Sequence, residues 1–142
     1  MMPKLWFASL ICVPLMGCTT PSTPMGTTAA TSIEKTLLLQ SSSSWDGTPY
    51  TAYPGAKPEL SVLKIKIPAN SALGWHTHPI PNAAYVAQGE ITIEIQDGKS
   101  KTFKQGEVLP EVVDTVHRGK TGNQPTELVI FYAGSPGIPL QH

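Results

Sequence analysis

Leu63-Lys64-Ile65-Lys66-Ile67-Pro68 and, further on, Ile91-Thr92-Ile93-Glu94-Ile95 followed by Gln96-Asp97-Gly98 carry the same alternation of aliphatic and polar side chains. A β-strand sends successive side chains to opposite faces, so an aliphatic residue at every second position describes a strand with one face in a core and the other in water. A helix would need apolar positions three and four residues apart, which neither run supplies. Pro68-Ala69-Asn70-Ser71 stops the first run as a turn. Asp97-Gly98 after the second predicts a hairpin with a tight primed turn, whose positive φ Gly and Asp tolerate best. Working outward, weaker runs predict further strands over 73–78, 83–88, 101–103, 116–118 and 128–133. Short strands with turn signals about every 8 to 12 residues predict an all-β sandwich or barrel rather than parallel βαβ units. The expected core is Leu63, Ile65, Ile67, Ile91, Ile93, Ile95, Val129 and Phe131.

The whole chain has 142 residues, enough for one domain and a modest appendage. Hydrophobic residues make up 40% and charged residues 14%, the latter well below the roughly 25% of an average soluble domain. Ten Lys and Arg balance ten Asp and Glu, and the densest basic stretch is the spaced Lys99, Lys101 and Lys104. Binding to a phosphate backbone needs clustered cations, so no nucleic acid partner is expected. Fourteen Pro and twelve Gly leave no stretch that reads as a long capped helix.

The N-terminus has a different character. Met1 to Lys4 supply one basic side chain, and Leu5 to Gly17 form an apolar run of 13 residues. A helix crossing roughly 30 Å of hydrocarbon takes about 20 residues, so a secretory signal is expected instead of a transmembrane span. The run ends in Leu15-Met16-Gly17-Cys18, which resembles the lipobox of bacterial lipoproteins, with Met16 as a departure from the usual smaller residue. That resemblance implies a signal peptide over 1–17 and a lipidated Cys18. The protein would then be held in the bacterial cell envelope, in contact with the membrane through its N-terminal lipid. Thr19 rather than Asp follows the cysteine, which implies the outer membrane, facing the periplasm, as the default. Thr19 to Ser32 are almost wholly Thr, Pro, Ser, Ala and Gly without hydrophobic period, so 18–35 is read as a tether and 36–142 as the folded domain. With Cys12 in the signal and Cys18 lipidated, no thiol remains for a disulfide or a nucleophile.

The candidate chemistry begins with Gly74-Trp75-His76-Thr77-His78-Pro79. On a strand His76 and His78 share a face and present two imidazoles side by side, a metal-ligand spacing, though a solvated pair on a strand surface has the same signature. His117, 39 residues after His78 and just past a turn-like segment, can be returned to the same pocket by an antiparallel meander.

His76-Thr77-His78, then Asn82 and Gly89, have the spacing of the first cupin motif, in which two histidines, a glutamate and a glycine recur in that order. Gly106 and His117 match the glycine and histidine of the second motif, and Tyr85 to Glu90 resembles the strand and turn that close the first. The sequence therefore resembles the cupin superfamily, in its small single-domain form, over about residues 59–133. The resemblance implies a small β-barrel of the double-stranded β-helix, or jelly-roll, type. It implies a homodimer as a common assembly, and one divalent metal held by His76, His78 and His117 with a small-molecule ligand beside it. Asn82 stands where the family has its glutamate, and is left as a weak or outer partner of the metal. The proline, second glycine and asparagine of the second motif are replaced by Val112, Asp114 and Thr121.

Three neutral imidazoles suit Zn, Fe, Ni, Cu or Mn, and the loss of a carboxylate weakens the hardest of these, Mn²⁺, most. Three protein ligands leave an open position, as a catalytic metal requires. The expectation is thus a metal-dependent oxygenase or isomerase, with a non-catalytic binding or sensing lipoprotein on a degenerate cupin site as the alternative. Glu111 is read as solvated, with a replacement carboxylate at the barrel mouth as the other possibility. Tyr85, Tyr50 and Tyr53 are candidates for the cavity wall. Trp75 is read as core or edge packing, Trp45 as a cap on an open end, and His142 as the end of a disordered tail without a role.

Overall fold

The computed structural model describes residues 32–142. The predicted signal peptide, lipidated Cys18 and most of the tether lie outside these residues. Lys35–His142 forms one compact unit. Seven strands follow in order: β1 (Glu59–Ile67), β2 (Asn82–Gln88), β3 (Glu90–Ile95), β4 (Ser100–Lys104), β5 (Val108–Pro110), β6 (His117–Lys120) and β7 (Thr126–Gly134). Among the described residues there is no helix. All pairings are antiparallel, in a four-stranded sheet of order β1-β7-β2-β5 and a three-stranded sheet of order β4-β3-β6.

The two strands that decide the fold behave as their alternation predicts. In β3, Ile91, Ile93 and Ile95 are buried while Thr92 and Glu94 reach outward. In β1, Leu63 and Ile65 pack against the core, Ile67 is buried, and Lys64 and Lys66 are exposed. The remaining strands of the sheet that holds β1 add Ala84, Val86, Leu109, Leu128 and Ile130 to complete a single apolar interior. Gly89 turns β2 into β3 at φ 76°, a left-handed conformation that costs a side chain dearly.

Four expectations need correction. The face of β7 is reversed: Leu128, Ile130 and Tyr132 are buried, whereas Phe131 is exposed and Val129 half-buried. Both alternating sets on this strand are apolar, so alternation alone could not choose between them. The hairpin after β3 is not a primed two-residue turn, because only Gly98 has positive φ. Gly98 N donates to Ile95 O and Ile95 N to Lys99 O, the arrangement of a turn closed by a left-handed glycine.

Residues 73–78 form no regular strand. The segment meets β6 at the isolated Ala72↔Lys120 and His76↔His117 bridges, with Leu73 N donating to Gly119 O; between the bridges four steps on one chain oppose three on the other, as in a bulge. The bulge lets Leu73 and His76, an odd number of residues apart, both face inward. The tail is ordered, since Thr77 N donates to His142 O and His142 N to Thr77 O (3.2 and 3.0 Å), with Ile138 and Leu140 packed on the core.

Candidate metal centre

His76 and His117 are direct cross-strand neighbours that exchange both backbone hydrogen bonds, each 2.9 Å. Such a pair sets its side chains on one face at close range, and the ring centroids are 4.4 Å apart. His78, two residues beyond His76, brings a third ring to 4.9 Å from His76 and 5.0 Å from His117. One ring nitrogen from each histidine lies within 4.8 Å of the others.

Every ring has its Nδ1 on a backbone carbonyl: His76 on Gly74 O at 2.9 Å, His78 on Leu140 O at 2.7 Å, His117 on Thr115 O at 2.8 Å. A carbonyl only accepts, so in the neutral ring each Nδ1 carries the proton and each Nε2 keeps its lone pair. Three imidazoles in the tautomer a metal requires, each oriented by an outer hydrogen bond, fit a divalent ion. The buried Nε2 of His117 has no hydrogen-bond partner within the protein, so it is free to coordinate an ion.

Burial holds His78 below the ordinary histidine pKa against the pull of Glu111. His117 is driven down by burial too, but the Glu111 carboxylate beside it prevails and holds it above the ordinary value. Glu111 is not solvated: it is buried, with Oε2 3.3 Å from His117 Nε2. Neither atom makes a hydrogen bond, so the approach is close but out of line. Glu111 joins the three histidines, Tyr132, and apolar walls from β1, β3 and β7 around a cavity of about 90 Å³. Gln141 of the C-terminal tail covers part of it.

Tyr132 is the cavity tyrosine, its ring edge 5.6 Å from His78, and burial, with a smaller contribution from Glu111, pushes its hydroxyl up to about 12. Tyr85 does not line the cavity: it stands exposed on the outer face of β2. Tyr50 lies away from the cavity, its hydroxyl donating to Glu111 O at 2.6 Å. Asn82 faces inward and is buried, yet it is not part of the cavity wall, and its Oδ1 has no partner. Trp75 packs at the sheet edge under the Arg118 guanidinium, 4.4 Å from its ring centroid. Trp45 packs against the core and donates its backbone N–H to Pro110 O. Thr121, in the motif's asparagine position, donates to Pro68 O and accepts from Ser71 N, pinning the turn before the histidine segment.

No family model matches the chain, and no curated protein matches it in sequence. Solved structures do match in fold. An RmlC-like cupin family protein with a double-stranded β-helix fold from Methanocaldococcus jannaschii aligns with TM-score 0.50 at 17% identity, over 54% of this chain and 72% of that one. The fold is the cupin double-stranded β-helix. Two enzymes share this cupin architecture. One is a DMSP lyase from Ruegeria pomeroyi, with TM-score 0.52 and 16% identity, over 66% of this chain and 45% of that one. The other is a polyketide cyclase from Streptomyces resistomycificus, with TM-score 0.51 and 19% identity, over 62% of this chain and 61% of that one. This chain thus spans about half to two thirds of the length of these two enzymes. A cupin barrel hosts unrelated chemistries, so the fold alone selects no reaction.

Proposed function

We propose that this protein binds one divalent metal ion through His76, His78 and His117 and a compact small molecule beside it in the cupin cavity. The observation that carries this reading is the shared tautomer: three Nδ1 atoms given to backbone carbonyls leave three Nε2 lone pairs for one ion. The cavity's 90 Å³ is small beside the ~300 to 1,000 Å³ of sites for drug-sized ligands, so the molecule has only a few heavy atoms. Its walls of Leu63, Ile65, Ile91 and Ile130 select an apolar body and exclude water, which strengthens polar contacts at the histidine end.

A bound divalent ion supplies Lewis acidity toward an oxygen of the molecule. Tyr132, with its pKa near 12, keeps its proton at neutral pH and can donate a hydrogen bond into the cavity. Oxygenation or isomerisation of a small molecule is the reaction class we assign. A non-catalytic binding or sensing role is the second reading, favoured by the tail that ties Leu140 to His78 and Gln141 over the cavity.

The test is metal content of untagged protein. The intact chain should hold near one ion, and His76→Ala, His78→Ala and His117→Ala should each lose it, while His142→Ala, whose side chain is exposed, should not. An intact chain that takes up no divalent ion at micromolar concentration overturns the proposal.

We also propose that lipid on Cys18 holds the domain in the bacterial envelope, at the outer membrane facing the periplasm. The apolar 5–17 run, the Gly17-Cys18 junction and the polar 19–32 segment support it. Cys18→Ser should move the protein out of the membrane fraction; its continued sedimentation with membranes at high salt would sink the idea. A homodimer would bury the exposed Leu60, Val62 and Phe131 on the outer face of the four-stranded sheet, and a one-chain mass in solution excludes it.

A further inference from the structure

We infer that Glu111 supplies the carboxylate that the cupin motif lacks at Asn82, completing a set of three imidazoles and one carboxylate around the ion. The inference rests on the three-histidine reading above and changes its chemistry.

Strand register places Glu111 beside Asn82. β2 pairs with β5 as Ala83↔Pro110 and Ala84↔Leu109, and the next step of that ladder sets Asn82 opposite Glu111, with Glu111 N donating to Asn82 O at 3.1 Å. Directly opposed residues share a face, with Cβ atoms about 4.5 to 5.5 Å apart. A carboxylate lost from position 82 is therefore regained one strand away, on the same inward face. The motif follows the chain and cannot register such a move.

The carboxylate itself is buried against His117. Glu111 is 5% exposed, and among the described residues His117 is the only basic group within ion-pair distance. His117 Nδ1 donates to Thr115 O, so in the neutral imidazole that a metal requires, the Nε2 that Glu111 Oε2 approaches to 3.3 Å presents a lone pair. Two buried lone-pair donors facing each other without a hydrogen bond are unfavourable unless a proton or a metal ion lies between them, and a metal replaces the proton when it binds. Their spacing suits one ion: donors about 2.0 to 2.2 Å from a common metal, at octahedral or tetrahedral angles, stand roughly 3 to 3.5 Å apart.

The backbone that carries the carboxylate is rigidly held. Glu111 has its N–H on Asn82 O and its carbonyl on the Tyr50 hydroxyl at 2.6 Å, so its backbone is held from both sides. A hard oxygen donor lowers the charge of the site by one and raises its standing for Mn²⁺ relative to a site of three imidazoles alone.

The experiment titrates the full chain and its Glu111→Gln variant with Mn²⁺ alone and with Zn²⁺ alone, following free Mn²⁺ by electron paramagnetic resonance and Zn²⁺ by dye competition. Glu111→Gln should weaken Mn²⁺ by about tenfold or more, the loss that even outer partners of metal ligands produce, and Zn²⁺ by less. A crystal structure of the Zn²⁺-loaded wild-type chain, which does not depend on the variant folding, should show a Glu111 oxygen about 2.0 to 2.2 Å from the ion. Equal Mn²⁺ affinity in the two proteins, or a Glu111 carboxylate beyond bonding distance in the loaded structure, overturns this assignment alone. A wild-type chain that takes up neither ion overturns this assignment, and one that takes up no divalent ion at all overturns the three-histidine reading with it.

Discussion

Replacing Gly89 with Ala adds one methyl group where the chain has neither conformational nor steric room for it. At φ 76° an L-residue bears about 1–2 kcal/mol for the left-handed conformation. The steric cost comes on top. The new Cβ would fall well inside contact of the Pro125 carbonyl oxygen, and would lie 3.1 Å from Thr126 Oγ1 and 3.2 Å from Thr126 Cα. These atoms cannot swing aside, because two are backbone and Thr126 Oγ1 is fixed on Glu90 O at 2.5 Å. Relief requires the β2–β3 junction to move off β7, and the sum is about 3–5 kcal/mol, at the upper end for a single substitution. That is a large share of the about 5–15 kcal/mol that holds a domain folded.

Gly98 is the control. Its φ is 93°, and a Cβ there meets nothing within 4 Å, so Gly98→Ala should cost only the conformational part, about 1–2 kcal/mol. Urea unfolding of both variants separates the two contributions. With a slope of about 1–3 kcal/mol per molar urea, the Gly89→Ala midpoint should lie about 1 M below that of Gly98→Ala. Coincident midpoints would mean that the Pro125–Thr126 contact yields freely, and that the motif glycine is kept for φ alone.

Truncating the inward face of β7 with Ile130→Ala should cost about 2–5 kcal/mol, whereas Phe131→Ala, at an exposed position, should stay within about 0.5–1 kcal/mol; thermal unfolding decides, and a reversed order would turn the strand over. Glu94 is held below its ordinary pKa by Lys120 first and Arg118 next, and Glu127 by Lys64. A carboxylate with a depressed folded pKa stabilises fully above its unfolded value near 4.5 and loses that contribution as pH falls through the folded one. The melting temperature should therefore drop between about pH 5 and pH 3, and Glu94→Gln with Glu127→Gln should flatten that drop while lowering stability at pH 7. An unchanged acid profile in the double variant would refute it.

The sequence by itself determined the strands at 63–67 and 91–95, because aliphatic residues there alternate with Lys, Thr and Glu and only one face can be buried. The resemblance of His76, His78 and His117 to the cupin motif spacing pointed to the three histidines that meet, although the long-range His76↔His117 pairing that brings them together is tertiary. Tertiary structure alone decided matters where local pattern is neutral or long-range pairing intervenes. On β7, Leu128, Val129, Ile130 and Phe131 are all apolar, and only the position of the opposite sheet selects the inner face. The bulge before His76 exists because β6 and the preceding segment run out of register by one residue, a mismatch visible only once the two are paired. Tyr132 is tucked against His78, and the tail against Thr77, by contacts spanning more than 50 residues. Glu111 is the sharpest case. Its neighbours along the chain are two valines and a proline, which announce neither a ligand nor a solvated acid, and its role follows from lying across the ladder from Asn82 and facing His117. Those neighbours are set by strand order, and strand order is settled by the burial of the whole barrel.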